Sequence, residues 1–312
     1  MRVAIPDDAP PVMGPSAAWA EFQARHETVY FDSLPEGEEE LAARIAGAEA
    51  VVNIRSSCRF TESLLEHAPA MKVLSIWGTG TDNVDLAAAR ARGIRVTNTP
   101  GVAAASIAEH CLGLTLAVAR GLVAVDASVR RGEWQRGRST DLAGKTLGVI
   151  GLGAIGRRFA RLGEAIGMRV IAWTMNPSAD RGFELVPLER LLRESDVVSL
   201  HLRLSEKTRG FLGAAEFAAM KSSAIFINTA RGPIVDEAAM VSALREGRIA
   251  GAGLDVFETE PLPAGHPVTG LANVVLTPHC AGITPETVEA GLRLALENVE
   301  AWAAGRAQNV VA

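Results

Sequence analysis

Short apolar runs alternate with amphipathic stretches along the first hundred residues of the chain. The short runs predict buried strands, and the stretches between them have the helical spacing of apolar positions. The predicted strands are Val3–Ile5, Thr28–Phe31, Ala50–Ile54, Val73–Trp77 and Ile94–Thr97, and the predicted helices are Ala17–Arg25, Glu38–Ile45, Glu62–His67 and Leu86–Arg92. This order predicts a parallel, doubly wound sheet with right-handed crossovers.

A second alternation of the same kind begins at Thr146. Its predicted strands are Leu147–Ile150, Val170–Trp173, Val197–Leu202, Ala224–Asn228, Gly251–Val256 and Val274–Leu276, which together match a full Rossmann sheet. A long helical stretch from Ser106 to about Arg130 lies between the two alternations. Ser106 and Glu109 have the spacing of a capping box, so we expect the helix to begin there.

An amphipathic pattern from about Pro285 to Ala304 predicts a final helix that packs on the first domain. We therefore expect an α/β fold with two doubly wound parallel-sheet domains, in which a Rossmann nucleotide-binding domain is inserted in a smaller, flavodoxin-like substrate domain. The expected substrate domain is residues 1–98 with 286–312, and the expected nucleotide domain is residues 99–285. Two crossings at one seam predict a hinge and a ligand cleft between the domains.

Composition and charge narrow the function classes. The chain has 312 residues and a formal net charge of −5, whereas nucleic-acid binding needs a basic face. No window has the ~18 uninterrupted apolar residues of a membrane span. The N-terminus meets acids at once and does not have the pattern of a signal peptide. Cys58, Cys111 and Cys280 have neither zinc-site nor disulfide-framework spacing, so we expect a reduced, cytoplasmic protein without a metal, a nucleic-acid partner or a membrane partner.

A glycine-rich turn follows the first strand of the second alternation. Gly151, Gly153 and Gly156 form the pattern G-x-G-x-x-G, and a helical pattern continues from Phe159 to Ile166. Two glycines let the backbone turn tightly and approach a pyrophosphate, the third lets the helix pack on the strand, and the helix N-terminus offers amides to the phosphate. The pattern alone is weak, but with a strand, a helix and a second strand in order it predicts dinucleotide binding.

Three later segments each end a predicted strand with a functional side chain. They are Asn228–Asp236, which holds Arg231, Gly253–Pro261, which holds Asp255, Glu258 and Glu260, and Thr277–Gly282, which holds His279. In open α/β sheets such strand ends bind the ligand. Arginine binds a carboxylate bidentately, histidine exchanges a proton with a carbonyl oxygen, and a carboxylate on the far imidazole nitrogen fixes the tautomer. This set of groups fits hydride transfer between a hydroxy acid and a nicotinamide.

At these residues the chain resembles the D-isomer-specific 2-hydroxyacid dehydrogenases, over nearly its whole length. The motifs that carry the resemblance are Gly78–Asp85, Asn98–Gly101, Leu142–Gly148, the glycine turn, Asp196–His201 and the three segments above. The resemblance implies that His279 is the acid/base, that Glu260 rather than Glu258 is its partner, and that Arg231 binds the substrate carboxylate.

The same resemblance implies the ligands of an NAD(P) cofactor and of the substrate. Ala154 and Ile155 are implied at the pyrophosphate with Gly151, Gly153 and Gly156, Thr229 and Ala230 beside the dinucleotide, Asp255 on the nicotinamide side, and the amides of Thr79 and Gly80 on the substrate carboxylate. His201 is interpreted as a strand residue near the cofactor, His110 as structural, and Cys280 as a wall residue. A homodimer built through the nucleotide domain, with the helix from Ser106 near the interface, is implied as well.

The chain departs from the family pattern at the end of the second Rossmann strand. Thr174 stands where members that prefer NAD usually carry an acid, which binds the ribose and repels a 2′-phosphate. Arg181 in the following loop and Arg203 after His201 are interpreted either as phosphate ligands or as solvated charges. These residues favour NADP, or the use of both cofactors, over strict NAD.

The expected reaction is reduction of a small 2-oxo acid, of the glyoxylate or hydroxypyruvate type, or oxidation of the matching D-2-hydroxy acid. Arg55 in the loop Asn53–Cys58 is either a substrate contact or a solvated loop end. Two alternatives remain open: a dinucleotide-sensing, corepressor-like module without turnover, and a phosphite dehydrogenase.

Overall fold

The computed structural model describes residues 1–137, 139–177 and 182–312. The chain divides into two compact units, Met1–Ala103 with Ile283–Ala312 and Ala104–Gly282. The predicted boundaries were 98/99 and 285/286, so the observed crossings lie a few residues inside the predicted nucleotide domain. We call these the first unit and the second unit.

The first unit is built on a five-stranded parallel sheet with the order β2-β1-β3-β4-β5. Its strands are β1 (Arg2–Ile5), β2 (Glu27–Tyr30), β3 (Ala50–Asn53), β4 (Val73–Ile76) and β5 (Arg95–Thr97), and its helices are α1 (Ala17–Gln23), α2 (Glu38–Ile45), α3 (Glu62–Glu66), α4 (Leu86–Ala91) and the C-terminal helix (Pro285–Ala303). This strand order is that of flavodoxin-like folds.

The elements of the first unit follow from local sequence. All four residues of β3 and of β4 are buried, as expected for parallel strands that are covered on both faces. Ser16, Thr61 and Asp85 cap the helices that follow them, and each accepts a hydrogen bond from the backbone amide three residues on. The C-terminal helix packs on this unit as predicted, through Leu292, Ala295, Leu296 and Val299.

The second unit is built on a seven-stranded parallel sheet with the order β12-β11-β10-β9-β6-β7-β8. Its strands are β6 (Thr146–Ile150), β7 (Arg169–Trp173), β8 (Glu184–Leu185), β9 (Val197–Leu200), β10 (Ile225–Asn228), β11 (Gly251–Leu254) and β12 (Val274–Leu276), and its helices are α5 (Ala104–Arg120), α6 (Leu122–Arg130), α7 (Ala154–Ala165), α8 (Leu188–Glu194), α9 (Ala214–Ala219) and α10 (Glu237–Arg245). Counted from β6, the order is that of a Rossmann sheet with one further strand at its edge.

The long helix predicted from Ser106 to Arg130 is in fact two helices. Gly121 has φ 59° and breaks the chain between α5 and α6, which meet at a bend of 62°. A left-handed residue cannot continue an α-helix, so this glycine ends it. The capping-box prediction was also wrong, because α5 begins at Ala104 and Ser106 lies inside it.

Helix α5 packs closely on the sheet because glycines leave room for it. A Cβ atom on Gly253 would lie 2.8 Å from the Leu114 Cβ, and one on Gly251 would lie 2.9 Å from a Val118 methyl group. Among the described residues, no single helix is long and apolar enough to cross a membrane; α5 and α6 pass such a test only when the bent pair is counted together.

Several predicted strands extended too far at their carboxyl ends. The strands predicted as Val197–Leu202 and Gly251–Val256 end at Leu200 and Leu254. After each end one polar residue, His201 or Asp255, is followed by an apolar one, Leu202 or Val256, so hydrophobicity alone could not place the ends. Strand β8, two exposed residues, was not predicted at all.

Candidate active site

The glycine turn lies between β6 and α7 and leaves no room for side chains at two of its three glycines. A Cβ atom on Gly156 would lie 2.0 Å from the Gly151 carbonyl oxygen, and one on Gly151, where φ is 102°, would lie 2.7 Å from the His201 carbonyl oxygen. Gly153 is exposed and is the N-cap of α7, which puts Ala154 and Ile155 in the first helical turn. First-turn amides point out of the helix and favour an anion such as a pyrophosphate.

The end of β7 carries the residues relevant to cofactor choice. Thr174 follows the strand directly and is half-buried, and Met175 and Asn176 beyond it are exposed. Arg181, interpreted from the sequence either as a phosphate ligand or as a solvated charge, lies outside the described residues. Arg203 is exposed, and its carbonyl oxygen accepts a hydrogen bond of 2.7 Å from the buried Thr208 hydroxyl.

Strands β10, β11 and β12 are adjacent, and each ends at one of the predicted functional segments. Register pairs Asn228 with Leu254, and Leu254 with Leu276. Parallel strands end at the same edge of a sheet, so the segments with Arg231, Asp255 and His279 leave the sheet side by side. The chemistry-bearing residues of the second unit therefore share one edge with the glycine turn.

His279 and Glu260 form a direct pair. The His279 Nδ1 lies 2.7 Å from one Glu260 carboxylate oxygen, and the Phe257 amide donates to the other at 3.0 Å. Both side chains are about one-third exposed, at 35% and 32%. Burial raises the Glu260 pKa, but the hydrogen bond and charge of His279 outweigh it, and with the Phe257 amide and Arg231 they hold that pKa below its usual value.

The competing carboxylate, Glu258, takes another place. Its side chain is exposed, and its backbone amide donates to a Glu237 carboxylate oxygen at 3.1 Å. The structure therefore places Glu260, and not Glu258, against the imidazole.

Arg231 leaves the sheet at the end of β10, in a turn that only glycine permits. A Cβ atom on the next residue, Gly232, would lie 1.9 Å from the Phe257 backbone carbon. This close approach brings the Arg231 turn against the segment that holds Glu260. One Arg231 nitrogen donates to the Ala230 carbonyl oxygen at 2.8 Å, and the Ala230 amide is in turn bound by the Asn228 side chain at 3.0 Å.

Asp255 holds the His279 loop in place. Its buried carboxylate, 1% exposed, accepts hydrogen bonds from the Thr277 hydroxyl at 2.6 Å, and from the Cys280 and Ala281 amides at 2.9 Å each. His279 itself has φ 52°, a conformation that costs a non-glycine residue about 1–2 kcal/mol. The Asp255 contacts on either side offset this strain, so the residue implied on the nicotinamide side also anchors the loop.

His110 extends this network from α5. Its Nε2 lies 3.0 Å from the Thr277 hydroxyl and 3.7 Å from an Asp255 oxygen. His110, Asp255 and Cys280 offer ligand atoms within 4.8 Å of one another, a possible cation arrangement. Asp255 already accepts three hydrogen bonds there, and burial raises the pKa of the Cys280 thiol, so the group is organised as a hydrogen-bond network.

Thr229, His201 and Cys111 have structural environments. The Thr229 hydroxyl is buried and lies 3.1 Å from the Cys111 sulfur, and burial raises the pKa of that thiol to about 12. His201 follows β9, and its Nε2 lies 2.9 Å from the Ser199 hydroxyl. Burial lowers the pKa of His201 to about 3, so the ring is neutral and cannot serve as a general acid at neutral pH.

In the first unit, Thr79 and Gly80 follow β4 in a turn that is tied to β5. The Asn98 side chain donates to the Thr79 carbonyl oxygen at 2.8 Å, and the Gly78 amide donates to the Thr99 hydroxyl at 2.8 Å. A trans peptide points its N–H away from its C=O, so the Gly80 amide is directed away from Asn98. Arg55, at the end of the adjacent β3, is half-buried with its guanidinium over Trp77, and is not a solvated loop end.

Comparison with known proteins identifies the family of this site. The model for the NAD binding domain of the D-isomer specific 2-hydroxyacid dehydrogenases matches residues 112–281. A glyoxylate reductase from Aeropyrum pernix is 44% identical over 86% of this chain and 84% of its own length, and a hydroxypyruvate reductase from Thermotoga maritima is 40% identical over 80% and 82%. The chain belongs to the D-isomer-specific 2-hydroxyacid dehydrogenase family.

A solved member of this dehydrogenase family has the same fold as the whole chain. The NADPH-dependent glyoxylate/hydroxypyruvate reductase from Sinorhizobium meliloti, in complex with NADP and malonate, aligns with a TM-score of 0.87 and 31% identity, covering 100% of this chain and 96% of that one. As a dehydrogenase of this family, the chain is an NAD(P)-dependent oxidoreductase. The closely packed glycine turn of the second unit fits such a dinucleotide.

Some supporting residues within each unit could not be found from the sequence. Thr277 and His110 complete the Asp255 network, yet His110 was interpreted only as structural, because a histidine at helical spacing gives no sign of the loop it contacts. In the sequence, Asp7 and Asp8 served only as acids that argue against a signal peptide. In the structure, both carboxylates are fully buried beside the Arg55 loop. The one available signal was their place directly after an apolar strand.

Proposed function

We propose that the chain reduces small 2-oxo acids to D-2-hydroxy acids, with His279 as acid/base, Glu260 as its partner and Arg231 as the ligand of the substrate carboxylate. The observation that carries the proposal is the 2.7 Å contact of His279 Nδ1 with Glu260, at the sheet edge that also holds Arg231 and the glycine turn. A proton donor, a carboxylate ligand and a dinucleotide turn are the groups that this reaction needs.

The proton is transferred at the His279 Nε2. Because Glu260 occupies Nδ1, Nε2 is the ring atom that can donate to the carbonyl oxygen of the substrate. The ionised Glu260 fixes the ring orientation and stabilises the imidazolium, as a carboxylate does in other acid/base pairs. In the oxidative direction the neutral Nε2 takes the proton back.

Arg231 binds and orients the substrate carboxylate. A guanidinium stays charged at any working pH and matches a carboxylate with two parallel hydrogen bonds. From the first unit, we propose the amides of Thr79 and Gly80 as further ligands of the same carboxylate.

The dinucleotide is assigned to the second unit. Gly151, Gly153 and Gly156 would cradle it, and the amides of Ala154 and Ile155 would bind the pyrophosphate. Thr229 and Ala230 would lie beside the dinucleotide, with Asp255 on its nicotinamide side. When bound, its nicotinamide supplies or accepts the hydride. We further propose that NADP is accepted, alone or with NAD, since Thr174 places no negative charge where a 2′-phosphate would be repelled.

The substrate is proposed to be of the glyoxylate or hydroxypyruvate type. Relatives named glyoxylate reductase and hydroxypyruvate reductase align over most of both chains, which supports a small 2-oxo acid.

A panel of 2-oxo acids assayed with NADPH and with NADH tests this proposal. We expect oxidation of the reduced cofactor with glyoxylate or hydroxypyruvate. Cofactor binding without oxidation, against every acid of the panel, would contradict the proposal and favour a dinucleotide-sensing module. Phosphite added with NAD tests the other alternative.

We also propose a homodimer built through the second unit, in the cytoplasm. Leu122, Val123, Val129 and Trp134, in and just after α6, are exposed by 53%, 58%, 48% and 83%. Large apolar side chains exposed close together along the chain favour an interface between subunits. The three cysteines are free thiols, as a reducing compartment would keep them.

A further inference from the structure

Two buried carboxylates lie beneath the loop 53–58 of the first unit. Asp7 and Asp8 follow β1, and both are 0% exposed. The Asp7 carboxylate accepts hydrogen bonds from the Ile54 amide at 3.0 Å, from the Arg55 amide at 2.8 Å and from the Asn53 side chain. Asp7 therefore fixes the backbone of the loop from which the Arg55 side chain extends.

Asp8 is fixed in place beside the Arg55 guanidinium. Its oxygens accept hydrogen bonds from the Val12 and Met13 amides at 2.9 Å each and from the Tyr30 hydroxyl at 2.8 Å. One Arg55 Nη lies 3.9 Å from an Asp8 oxygen and donates to the Pro10 carbonyl oxygen.

The Arg55 side chain therefore packs against Trp77 and Asp8 and does not extend into solvent. It is only 14% exposed, and its guanidinium carbon lies 5.8 Å from the centre of the Trp77 ring. Trp77 and Gly78 lead directly into Thr79 and Gly80, the proposed carboxylate ligands of this unit. Arg55 and those ligands thus share the carboxyl edge of the neighbouring strands β3 and β4.

The local charge at this edge is negative. Burial lowers the Arg55 pKa while Asp8 and Asp7 raise it, so both carboxylates act on one guanidinium. Arg44 contacts the segment after β1 through the Pro6 carbonyl oxygen, but it is paired with Glu40 at 2.5 Å. The next cation along the chain, Arg59, lines a surface hollow with Glu62, Asp82 and Asp85.

We infer that Asp8, with Asp7, is a specificity-determining residue that cancels the charge of Arg55, so that the site selects 2-oxo acids whose only charge is the reacting carboxylate. This inference rests on the proposed function and adds the charge class of the substrate. A second anionic group on the substrate would come near two buried carboxylates and a guanidinium that already donates to the Pro10 carbonyl oxygen. Like charges placed close together disfavour binding strongly.

Three substrates separate charge from size in the wild-type enzyme. Oxaloacetate and 4-methyl-2-oxopentanoate have the same number and branching of heavy atoms, because an isopropyl group in one takes the place of the second carboxylate in the other. Hydroxypyruvate is the small reference. We expect kcat/KM to be about 100-fold or more higher for 4-methyl-2-oxopentanoate than for oxaloacetate. Equal turnover of the two compounds, or equal rejection of both, would overturn the inference, because charge would then not select.

Variants test whether Asp8 acts through Arg55. Asp8→Asn should leave the charge of the Arg55 guanidinium uncancelled. The ratio of kcat/KM for 4-methyl-2-oxopentanoate to kcat/KM for oxaloacetate should then fall by about 10-fold. Adding Arg55→Met to this variant should restore a high ratio. An unchanged ratio in folded Asp8→Asn would contradict the inference.

Arg55→Met in the wild-type background gives a second test that does not depend on the folding of Asp8→Asn. It leaves both carboxylates uncompensated, so discrimination against oxaloacetate should increase; a decrease would overturn the inference. Failure of the proposed function gives a different result, since no 2-oxo acid would then be reduced at all.

Discussion

Thr174 is the residue whose side chain bears most directly on cofactor choice. An acid at this place would repel a 2′-phosphate and bind the ribose of NAD. We predict that Thr174→Asp lowers the NADPH-to-NADH ratio of kcat/KM by about 10- to 100-fold, since like-charge contact costs several kcal/mol. Asparagine has the size of aspartate but no charge, so Thr174→Asn is the matched control and should change the ratio far less. An unchanged ratio in the Asp variant would remove the argument for NADP.

Asp7 gives the protein a pH-dependent contribution to stability. Burial raises its pKa from 3.8 to about 6, against the opposing hydrogen bonds of the loop. Between these values the folded chain holds a proton that the unfolded chain has lost, so this contribution is full below pH 3.8 and is lost as pH rises through 6. Summed over the shift, the loss is about 3 kcal/mol.

Urea unfolding of wild type and Asp7→Asn from pH 4 to pH 7 measures this contribution. The free energy of unfolding of wild type, relative to the variant, should fall by about 1.4 kcal/mol per pH unit between pH 4 and pH 6. A difference that is constant or rises with pH would show that Asp7 is not buried as a raised-pKa acid.

The functional side chains of the site could be predicted from the sequence. The residues that hold their loops in place through hydrogen bonds could not. His279, Glu260 and Arg231 belong to segments that end adjacent strands, so strand order and motif register place them near one another. The contacts of Asp255 with Thr277, and of Asp7 with the Arg55 loop, join residues far apart in sequence. No local pattern encodes such contacts.

At the scale of one element, the glycine turn joins β6 to α7 through a backbone contact that a methyl group would occupy. Gly156→Ala should destabilise the second unit by about 1–3 kcal/mol, because its Cβ would lie 2.0 Å from the Gly151 carbonyl oxygen. Displacement of that turn should also raise the KM for NAD(P)H. Thermal unfolding and cofactor titration measure the two effects.

Gly153→Ala is the matched control for folding. A Cβ there meets no atom within 4 Å, so stability should change by no more than about 0.5 kcal/mol. Equal destabilisation by both substitutions would show that close packing is not the reason for the glycine at 156.

Helices and strands with a strong apolar periodicity were predicted well. Features that depend on contacts with other parts of the chain were not. The break at Gly121 interrupts a pattern that stays apolar on both sides, so periodicity suggested one helix. Strand β8 has two exposed residues, Glu184 and Leu185, and forms only because β7 offers a free edge. Gly121 is a local signal for a helix end that the apolar pattern on both sides hid, whereas β8 has no local sequence signature.

At the scale of the whole molecule, two parallel sheets within one chain follow from two strand–helix alternations and a returning C-terminal helix. That return was predictable because the final helix is amphipathic and too long for a simple tail. Gly291 in this helix lies where a Cβ would be 2.2 Å from the Trp77 ring nitrogen, a tightness of packing that the pattern could not indicate.

The proposed dimer places its interface on α6 and the segment after it. Val123→Asp and Trp134→Asp should each shift the protein from dimer to monomer in light scattering, because a buried, unpaired charge is costly at an apolar interface. Leu34→Asp, at a similarly exposed apolar residue of the first unit, is the control and should leave the mass unchanged. A wild-type monomer at micromolar concentration would contradict the dimer.

The central claim is that the His279 imidazole, held by Glu260, exchanges the proton of the reaction. The most direct test is the kcat of His279→Gln with the preferred 2-oxo acid and saturating reduced cofactor, alongside the cofactor Kd. The account predicts a kcat lowered by about 10²- to 10⁴-fold with cofactor affinity nearly unchanged. A variant that keeps its kcat within about 3-fold of wild type would contradict it, since loss of the general acid must cost more than that.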